Sequence, residues 1–273
     1  CPPFDVISSE FQEELYLRSK FNLVRLEFGK ENHGDNNILN KYKRASNIIN
    51  DWRSKNILVN DESCNFYLTE ETFFYEKSNH IRTGIMVLVK LEDLNLGSIL
   101  PHENTTPEPK KDRLKLMIET KCNFSPLMAL YRDESGQIIE ILENEKISNP
   151  ELEIDSFEVK LKLWKVKDKG IIEKIKKCVV NKKLMLADGH HRYETALYYK
   201  DYVSVGKSSD NSSNFRLMTL FSIDDSGVLI LGYHRILVGL TENEKKNLIN
   251  FLQSVASKVS NVDFAGFSSN FND

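Results

Sequence analysis

The residues best suited to do chemistry lie in one short run, Asp188-Gly189-His190-His191-Arg192. Apolar residues over 183–187 predict a buried strand before this run, and the helical spacing of apolar residues after it predicts a helix. A glycine turn between a strand and a helix brings free backbone N–H groups and the positive end of the helix to one point. We therefore predict an anion-binding turn here.

The side chains of this turn are consistent with that chemistry. Asp188 could hold a metal or a hydroxyl, and Arg192 could fork onto a phosphate. His190 and His191 could donate hydrogen bonds to an anion. The alternative is that Asp188 caps the helix and the other side chains are solvated. A two-histidine metal site on this helix is disfavoured, because adjacent histidines diverge and the spacing His-x-x-x-His is absent.

A second candidate is the run Pro101-His102-Glu103-Asn104-Thr105, which precedes Lys110 and Arg113. A loop with a histidine, a carboxylate and basic groups ahead of a helix could supply a general base and phosphate contacts. A solvated loop of mixed charge is the alternative. At the N-terminus, Asp5 and Ser8 could face a ligand, or the segment could be a strand edge that leads into a helix cap.

Composition excludes several classes of protein. The 273 residues carry 37 Lys and Arg against 40 Asp and Glu, so the chain lacks the overall basicity of a general nucleic-acid binder. No apolar run reaches the ~18 residues that a membrane-spanning helix needs. None of the four cysteines forms a Cys-x-x-Cys pair, which disfavours a zinc knuckle and fits a reduced, cytoplasmic protein.

Hydrophobic periodicity predicts an α+β (mixed α/β) fold. The predicted helices cover residues 8–20, 38–55, 113–122, 171–180 and 242–259. The predicted strands cover 21–28, 65–77, 82–91, 126–131, 157–167, 183–187, 215–223 and 228–231, with a hairpin turn around 78–80. The chain is expected to form a single domain over 1–273, or two intimately packed subdomains over about 1–98 and 99–273.

Several runs together resemble the family called domain of unknown function 1015. They are Pro2-Pro3-Phe4-Asp5-Val6-Ile7, Asn22-Leu23-Val24-Arg25-Leu26-Glu27, Pro101-His102-Glu103-Asn104-Thr105, Lys110-Lys111-Asp112-Arg113 and Ala187-Asp188-Gly189-His190-His191-Arg192-Tyr193-Glu194-Thr195-Ala196-Leu197. The resemblance covers nearly the whole chain. Members of that family run further, which implies that this chain is a fragment truncated at its C-terminus.

The turn at 188–192 also resembles the phosphate-binding turn of the ParB/sulfiredoxin superfamily, which includes partition proteins, sulfiredoxins and free serine kinases. This resemblance implies a nucleotide-binding core of that type with additional strands and helices, and ATP or ADP with magnesium as cofactor. Sulfiredoxin chemistry is disfavoured, because the cysteine that it requires is replaced here by His190 after Gly189.

These resemblances lead to a functional hypothesis. The protein is expected to be a nucleotide-dependent phosphotransferase that acts on a small hydroxylated metabolite, such as free serine. The alternatives are a non-catalytic nucleotide-binding regulatory module of ParB type, and a phosphatase or nuclease that uses the same anion site. The expected partners are a nucleotide and a small-molecule substrate, without a membrane or a nucleic acid.

The hypothesis assigns a role to each candidate residue. The catalytic residues are Glu103, Asp188 and His191. The phosphate- or nucleotide-binding residues are Gly189, His190, Arg192, Lys110 and Arg113. The substrate-binding residues are Asp5, Ser8 and His102. Glu103 would be the general base, and Asp188 would orient the hydroxyl or a magnesium-bound water. Arg192 is expected to face the pocket, so its replacement by alanine should leave folding intact.

Overall fold

The computed structural model describes residues 4–156, 159–205, 211–232 and 237–255, without the side chains of Asp5, Ser156 and Val205. The chain divides into two compact units, 1–229 and 230–273. In the described part of the second unit, helix α8 covers Glu242–Val255. None of the helices in these described ranges combines the length and the apolar content of a membrane-spanning helix.

The first unit contains seven α-helices and one mixed sheet in its described residues. The helices are α1 (Ser9–Arg18), α2 (Val24–Glu27), α3 (Lys41–Ser54), α4 (Pro107–Thr120), α5 (Gln137–Glu145), α6 (Lys169–Val179) and α7 (His190–Val205). The strands are β1 (Phe66–Tyr75), β2 (Ser78–Lys90), β3 (Ile99–Leu100), β4 (Leu127–Tyr131), β5 (Leu152–Ser156), β6 (Val159–Val166), β7 (Leu184–Asp188) and β8 (Phe215–Ser222). This confirms the predicted α+β class.

The sheet has the strand order β3-β7-β4-β8-β2-β1-β6-β5. Strand β7, which leads into the predicted anion-binding turn, pairs in parallel with β3 and antiparallel with β4. Strand β8 pairs antiparallel with β2 and in parallel with β4. The sheet therefore contains strands from both of the predicted subdomains, about 1–98 and 99–273. The predicted ParB-like core stays a prediction.

A buried cluster holds α7 against strands β4, β7 and β8 of the sheet. Leu127, Leu186 and Tyr193 have no measurable exposure, and Met218 of β8 packs into the same cluster. Burying a side chain of this size stabilises a fold by roughly 1.5–3 kcal/mol. The phenol of Tyr193 donates to the carbonyl of Glu92 at 2.7 Å, so its polar end is satisfied inside the core. The start of α7 is thus held by packing.

The strand predicted over 21–28 is wrong. The structure has a short helix there, α2, in which Val24, Leu26 and Glu27 are buried. The side-chain oxygen of Asn22 accepts the N–H of Val24 at 3.0 Å and so favours a helical turn over an extended chain. Periodicity cannot separate a strand from a buried helix in so short an apolar run.

Several other element boundaries differ from the predictions. Helix α4 begins at Pro107 rather than near 113, since proline suits the first helical turn. The β1–β2 hairpin turns at Glu76 and Lys77, which both have positive φ as a type I′ turn requires. Helix α5 and strand β5 were not predicted. Residues 228–231 form no strand, and the predicted end of the last helix, 256–259, lies outside the described residues.

Candidate functional site

The predicted strand–turn–helix at 188–192 is present in the structure. Strand β7 ends at Asp188 and α7 begins at His190, with Gly189 between them at φ +93°. A Cβ atom on Gly189 would lie 2.6 Å from Cδ2 of Leu127 and 3.0 Å from Nη2 of Arg192. Both the backbone conformation and the lack of space therefore require glycine here.

The loop that carries the second motif lies against this turn. The backbone N–H of His102 donates to Nε2 of His190 at 3.2 Å. The backbone N–H of Thr106 donates to Nε2 of His191 at 3.0 Å. The two motifs are thus joined by a pair of hydrogen bonds from the 102–106 loop to the first two residues of α7.

These contacts assign the tautomers of three histidines. A ring nitrogen that accepts an N–H carries no proton, so neutral His190 and His191 hold their proton on Nδ1. His102 also holds its proton on Nδ1, because that atom lies 2.6 Å from the carbonyl oxygen of Leu186. The rings of His190 and His191 are therefore uncharged in this arrangement.

Glu103 places a carboxylate beside the turn. Its Oε1 lies 3.4 Å from Nδ1 of His190, and its side chain is 51% exposed. Burial lowers the pKa of His190, although the charge of Glu103 opposes that shift. The geometry therefore pairs an accessible carboxylate with a buried, neutral imidazole at the N-terminus of α7.

Three side chains at this turn are of types that can ligate a metal ion. His102, Glu103 and His190 each offer a ligand atom, and these atoms lie within 4.8 Å of one another. A metal on Nδ1 of His190 would leave the ring proton on Nε2, where it would face the N–H of His102. The hydrogen bond from the N–H of His102 thus opposes a two-histidine metal site in this arrangement.

Lys110 reaches the same region from α4. Its Nζ donates to Oγ1 of Thr105 at 2.9 Å and to Oε2 of Glu194 at 2.8 Å. Burial would raise the pKa of Glu194, but hydrogen bonds from Lys110 and Thr105 outweigh it and lower that pKa. Glu194 was not predicted. The available signal was its position four residues after His190, one turn along the same helix.

Arg192 turns away from the loop and into the protein. Its Nη1 donates to the carbonyl oxygens of Ser125 at 3.3 Å and Pro126 at 3.0 Å, and its Nη2 lies 2.5 Å from Oδ2 of Asp188. The residue is only 7% exposed. The guanidinium group that was predicted to bind phosphate is therefore hydrogen-bonded to oxygen atoms of the protein. Its partner Asp188 has a side chain that is 54% exposed.

Comparison with known proteins identifies the family. The family model described as "Protein of unknown function (DUF1015)" matches residues 1–269. The chain belongs to the DUF1015 family. No curated protein and no solved structure matches it. The family description names no activity.

Two of three further predicted site residues have structural surroundings in this DUF1015 protein. Ser8 caps α1 by accepting the N–H of Phe11 at 3.2 Å. Arg113 is buried, donates to Asp112 at 2.8 Å, and lies over the ring of Phe4 at 4.0 Å. These contacts give Ser8 and Arg113 structural partners. The third predicted residue, Asp5, has its side chain outside the described part of the chain.

A buried polar network behind the turn was missed by sequence analysis. Arg216 of β8 donates to the side chain of Asn123 and, at 3.0 Å, to the carbonyl of Ser125. Burial and the nearby charge of Arg192 lower the pKa of Arg216 to about 9. The buried carboxylate of Glu27 accepts from Oγ of Ser125 at 2.6 Å. The residues of this network lie far apart in the chain, so no local sequence pattern indicates that they meet.

Proposed function

We propose that this DUF1015 protein is a nucleotide-dependent phosphotransferase that acts on a small hydroxylated metabolite, with free serine as the first substrate to test. The observation that carries the proposal is the 3.4 Å approach of Glu103 to His190 at a glycine turn that begins a helix. A candidate base and a candidate phosphate site are then within one small region, as phosphoryl transfer requires.

The helix start would bind the phosphates. The first N–H groups of a helix have no acceptor inside the helix, and the helix dipole adds positive charge there. Gly189 lets the phosphate approach the backbone closely, and Lys110 adds a cation in the same region. The histidines contribute less directly than predicted, since Nε2 of each is engaged by the loop.

Glu103 would act on the substrate. Its half-exposed carboxylate would accept the proton of a substrate hydroxyl as that oxygen attacks the terminal phosphate, whose bond to the bridging oxygen breaks to release ADP from ATP or AMP from ADP. Asp188 also has an exposed carboxylate beside the helix start. Glu103 and Asp188 each carry a carboxylate, the ligand type that magnesium prefers, and a bound magnesium ion would neutralise phosphate charge.

Incubation with serine, magnesium and either ATP or ADP tests the proposal. Phosphoserine should appear in the ³¹P spectrum, and Glu103→Gln should slow its formation by roughly 10²- to 10⁴-fold. Glu108→Gln is the matched control, since Glu108 is an exposed carboxylate on α4 that pairs with Lys111. Equal rates for both variants would remove Glu103 as the base.

One observation favours the second candidate, a nucleotide-binding module without turnover. The guanidinium of Arg192 is held by Asp188, Ser125 and Pro126, so it is not free to neutralise a transferring phosphate. Calorimetric titration separates the candidates. Binding of ATP or ADP without phosphoserine, across a panel of small hydroxylated compounds, would support the binding module.

A further inference from the structure

Residues of α6, β2 and β7 line an apolar cavity of about 480 Å³. This volume lies within the range of roughly 300–1,000 Å³ that is typical of small-molecule sites. Its apolar lining includes Val87 and Val89 of β2, Ile175 and Val179 of α6, and Leu184 of β7. We call this cavity the α6 groove. None of its lining residues belongs to the candidate phosphotransferase site.

The end of β2 leaves apolar side chains of the groove exposed. The pairing of β1 with β2 ends at Tyr67 and Met86, whereas β2 continues to Lys90 along β8. Leu88, in this last part of β2, lines the groove and is 61% exposed. Phe215 of β8 also lines the groove and is exposed. A bound apolar ligand would therefore remove hydrophobic surface from water, which favours binding.

The polar residues of the groove give it a positive charge. Three lysines line it, Lys90, Lys176 and Lys182, against the single carboxylate of Glu92, so three positive charges and one negative charge leave a formal +2. The carboxylate of Glu92 already accepts a hydrogen bond from the hydroxyl of Ser98. An apolar cavity with excess positive charge is suited to a ligand that has an apolar body and an anionic end.

Lys90 is the lysine best placed to meet that anionic end. Nζ of Lys176 lies 2.7 Å from a carboxylate oxygen of Glu173, and Nζ of Lys182 donates to the carbonyl of Arg132 at 2.7 Å. Lys90 is exposed, and it has no ion-pair partner in the part of the chain that the structure describes.

We propose that the α6 groove binds a linear acyl chain that ends in a carboxylate, with the chain against the valines and the carboxylate beside Lys90. The size of the groove favours this ligand over a helix of a partner protein. Two turns of a helix, as a cylinder of about 10 Å diameter, fill about 850 Å³. The groove holds little more than half of that volume, whereas an unbranched chain is much narrower than a helix.

The chain and the carboxylate should contribute unequally to affinity. Each methylene group that enters the groove should tighten binding about fourfold. An exposed ion pair with Lys90 should add only about 2- to 5-fold. The apolar lining would therefore supply most of the affinity, and Lys90 would supply the preference for a carboxylate.

Calorimetric titration of the full chain at pH 7.5 with octanoate, decanoate and 1-decanol tests the proposal. Decanoate should bind about 15-fold more tightly than octanoate, because it adds two methylene groups. It should also bind about 2- to 5-fold more tightly than decanol, which lacks the charge. Equal affinities for octanoate and decanoate, or no binding of decanoate, would overturn the proposal.

A carboxylate placed in the lining should prevent binding. Leu88→Asp removes exposed apolar surface and repels the ligand, so the affinity for decanoate should fall by at least about 10-fold. Ile81→Asp is the matched control, since Ile81 is also an exposed residue of β2 but does not line the groove. Equal losses in these two variants would contradict the proposed location.

A milder substitution tests the charge without changing the apolar lining. Lys90→Gln should weaken binding of decanoate about 2- to 5-fold and leave binding of decanol unchanged. Lys174→Gln, at an exposed lysine of α6 outside the lining, should change neither. This pair keeps the proposal testable if a thermal melt shows that Leu88→Asp does not fold. Loss of decanol binding in Lys90→Gln, or no change for decanoate, would exclude Lys90 as the partner of the carboxylate and overturn the proposal.

Methyl NMR spectra locate the bound chain. Decanoate should shift the methyl signals of Val87, Val89 and Val179, which line the groove. Shifts confined to other methyl groups would mean adventitious binding elsewhere and would overturn the proposal. A dimer in light scattering whose valine signals do not respond to decanoate would assign the groove to a second copy of the chain, which also overturns it.

Discussion

The two sides of the turn at Gly189 are built from different interactions. On the loop side, neutral histidines accept backbone N–H groups, and the carboxylate of Glu103 is half exposed. On the sheet side, the guanidinium groups of Arg192 and Arg216 are buried and hydrogen-bonded to carbonyl oxygens. The start of α7 therefore lies between a solvent-accessible loop and a buried charged network.

This difference separates loop contacts that can rearrange from a buried network that cannot. Removing one partner from a buried charged network leaves an uncompensated group, which is costly. Exposed loop contacts break and reform at little cost, as binding loops commonly do. The sheet side should therefore govern folding, and the loop side should govern ligand binding. Gly189 lies between the two sides, and both depend on it.

Gly189→Ala should have the largest effect on the free energy of unfolding, a loss of about 4 kcal/mol. The positive φ and the 2.6 Å approach to Leu127 each cost roughly 1–3 kcal/mol. Gly97→Ala is the matched control, because Gly97 has φ +75° but nothing within 4 Å of the added atom. Urea denaturation should show a clearly smaller loss for Gly97→Ala; equal losses would mean that space at Gly189 does not matter.

Arg192→Ala should follow, with a loss of about 2–3 kcal/mol, because it leaves the carbonyl of Pro126 and the carboxylate of Asp188 without this donor and takes one of two donors from the carbonyl of Ser125. This differs from the sequence-based expectation that folding is unaffected. Arg192→Lys should lie between the two, since lysine lacks the planar fork. Arg132→Ala, at an exposed arginine, should change stability by less than about 0.5 kcal/mol. An unchanged melting temperature for Arg192→Ala would place Arg192 outside the buried network.

Sequence patterns predicted the turn well because its determinants are local. A buried strand, a glycine and a helical repeat are contiguous, so β7, Gly189 and α7 could be predicted from short-range periodicity. The sequence did not predict that Arg192 faces the sheet, because that depends on β8 and on the loop at Ser125. It also could not show that the histidines accept N–H groups, since their donors lie on another loop.

Acid should weaken the fold through His190. Its pKa is lowered in the folded state, so the folded protein resists a proton that the unfolded chain accepts. Stability is therefore retained above the unfolded pKa of about 6.5 and declines as the pH falls below it. Denaturation midpoints between pH 7.5 and pH 5 should decline less steeply in His190→Gln. Equal slopes would exclude His190 as a source of acid sensitivity.

The ion pair between Lys110 and Glu194 should give the smallest effect. Both side chains are partly exposed, so a double-mutant cycle with Lys110→Ala and Glu194→Gln should yield a coupling of about 0.5–1 kcal/mol. The exposed pair of Lys111 and Glu108 is the control and should couple by less. A coupling above about 2 kcal/mol would mean that this ion pair behaves like a buried charged network. It would contradict the proposed difference between the loop side and the sheet side.

The position of β8 has a consequence for how the chain folds during synthesis. Among the strands of the described residues, β8 comes last in chain order, yet it separates β3-β7-β4 from β2-β1-β6-β5 in the sheet. Until it leaves the ribosome, two incomplete half-sheets would each expose an edge that is open to wrong pairing. Because contacts between distant segments form slowly, insertion of β8 is expected to limit the rate at which the nascent protein matures.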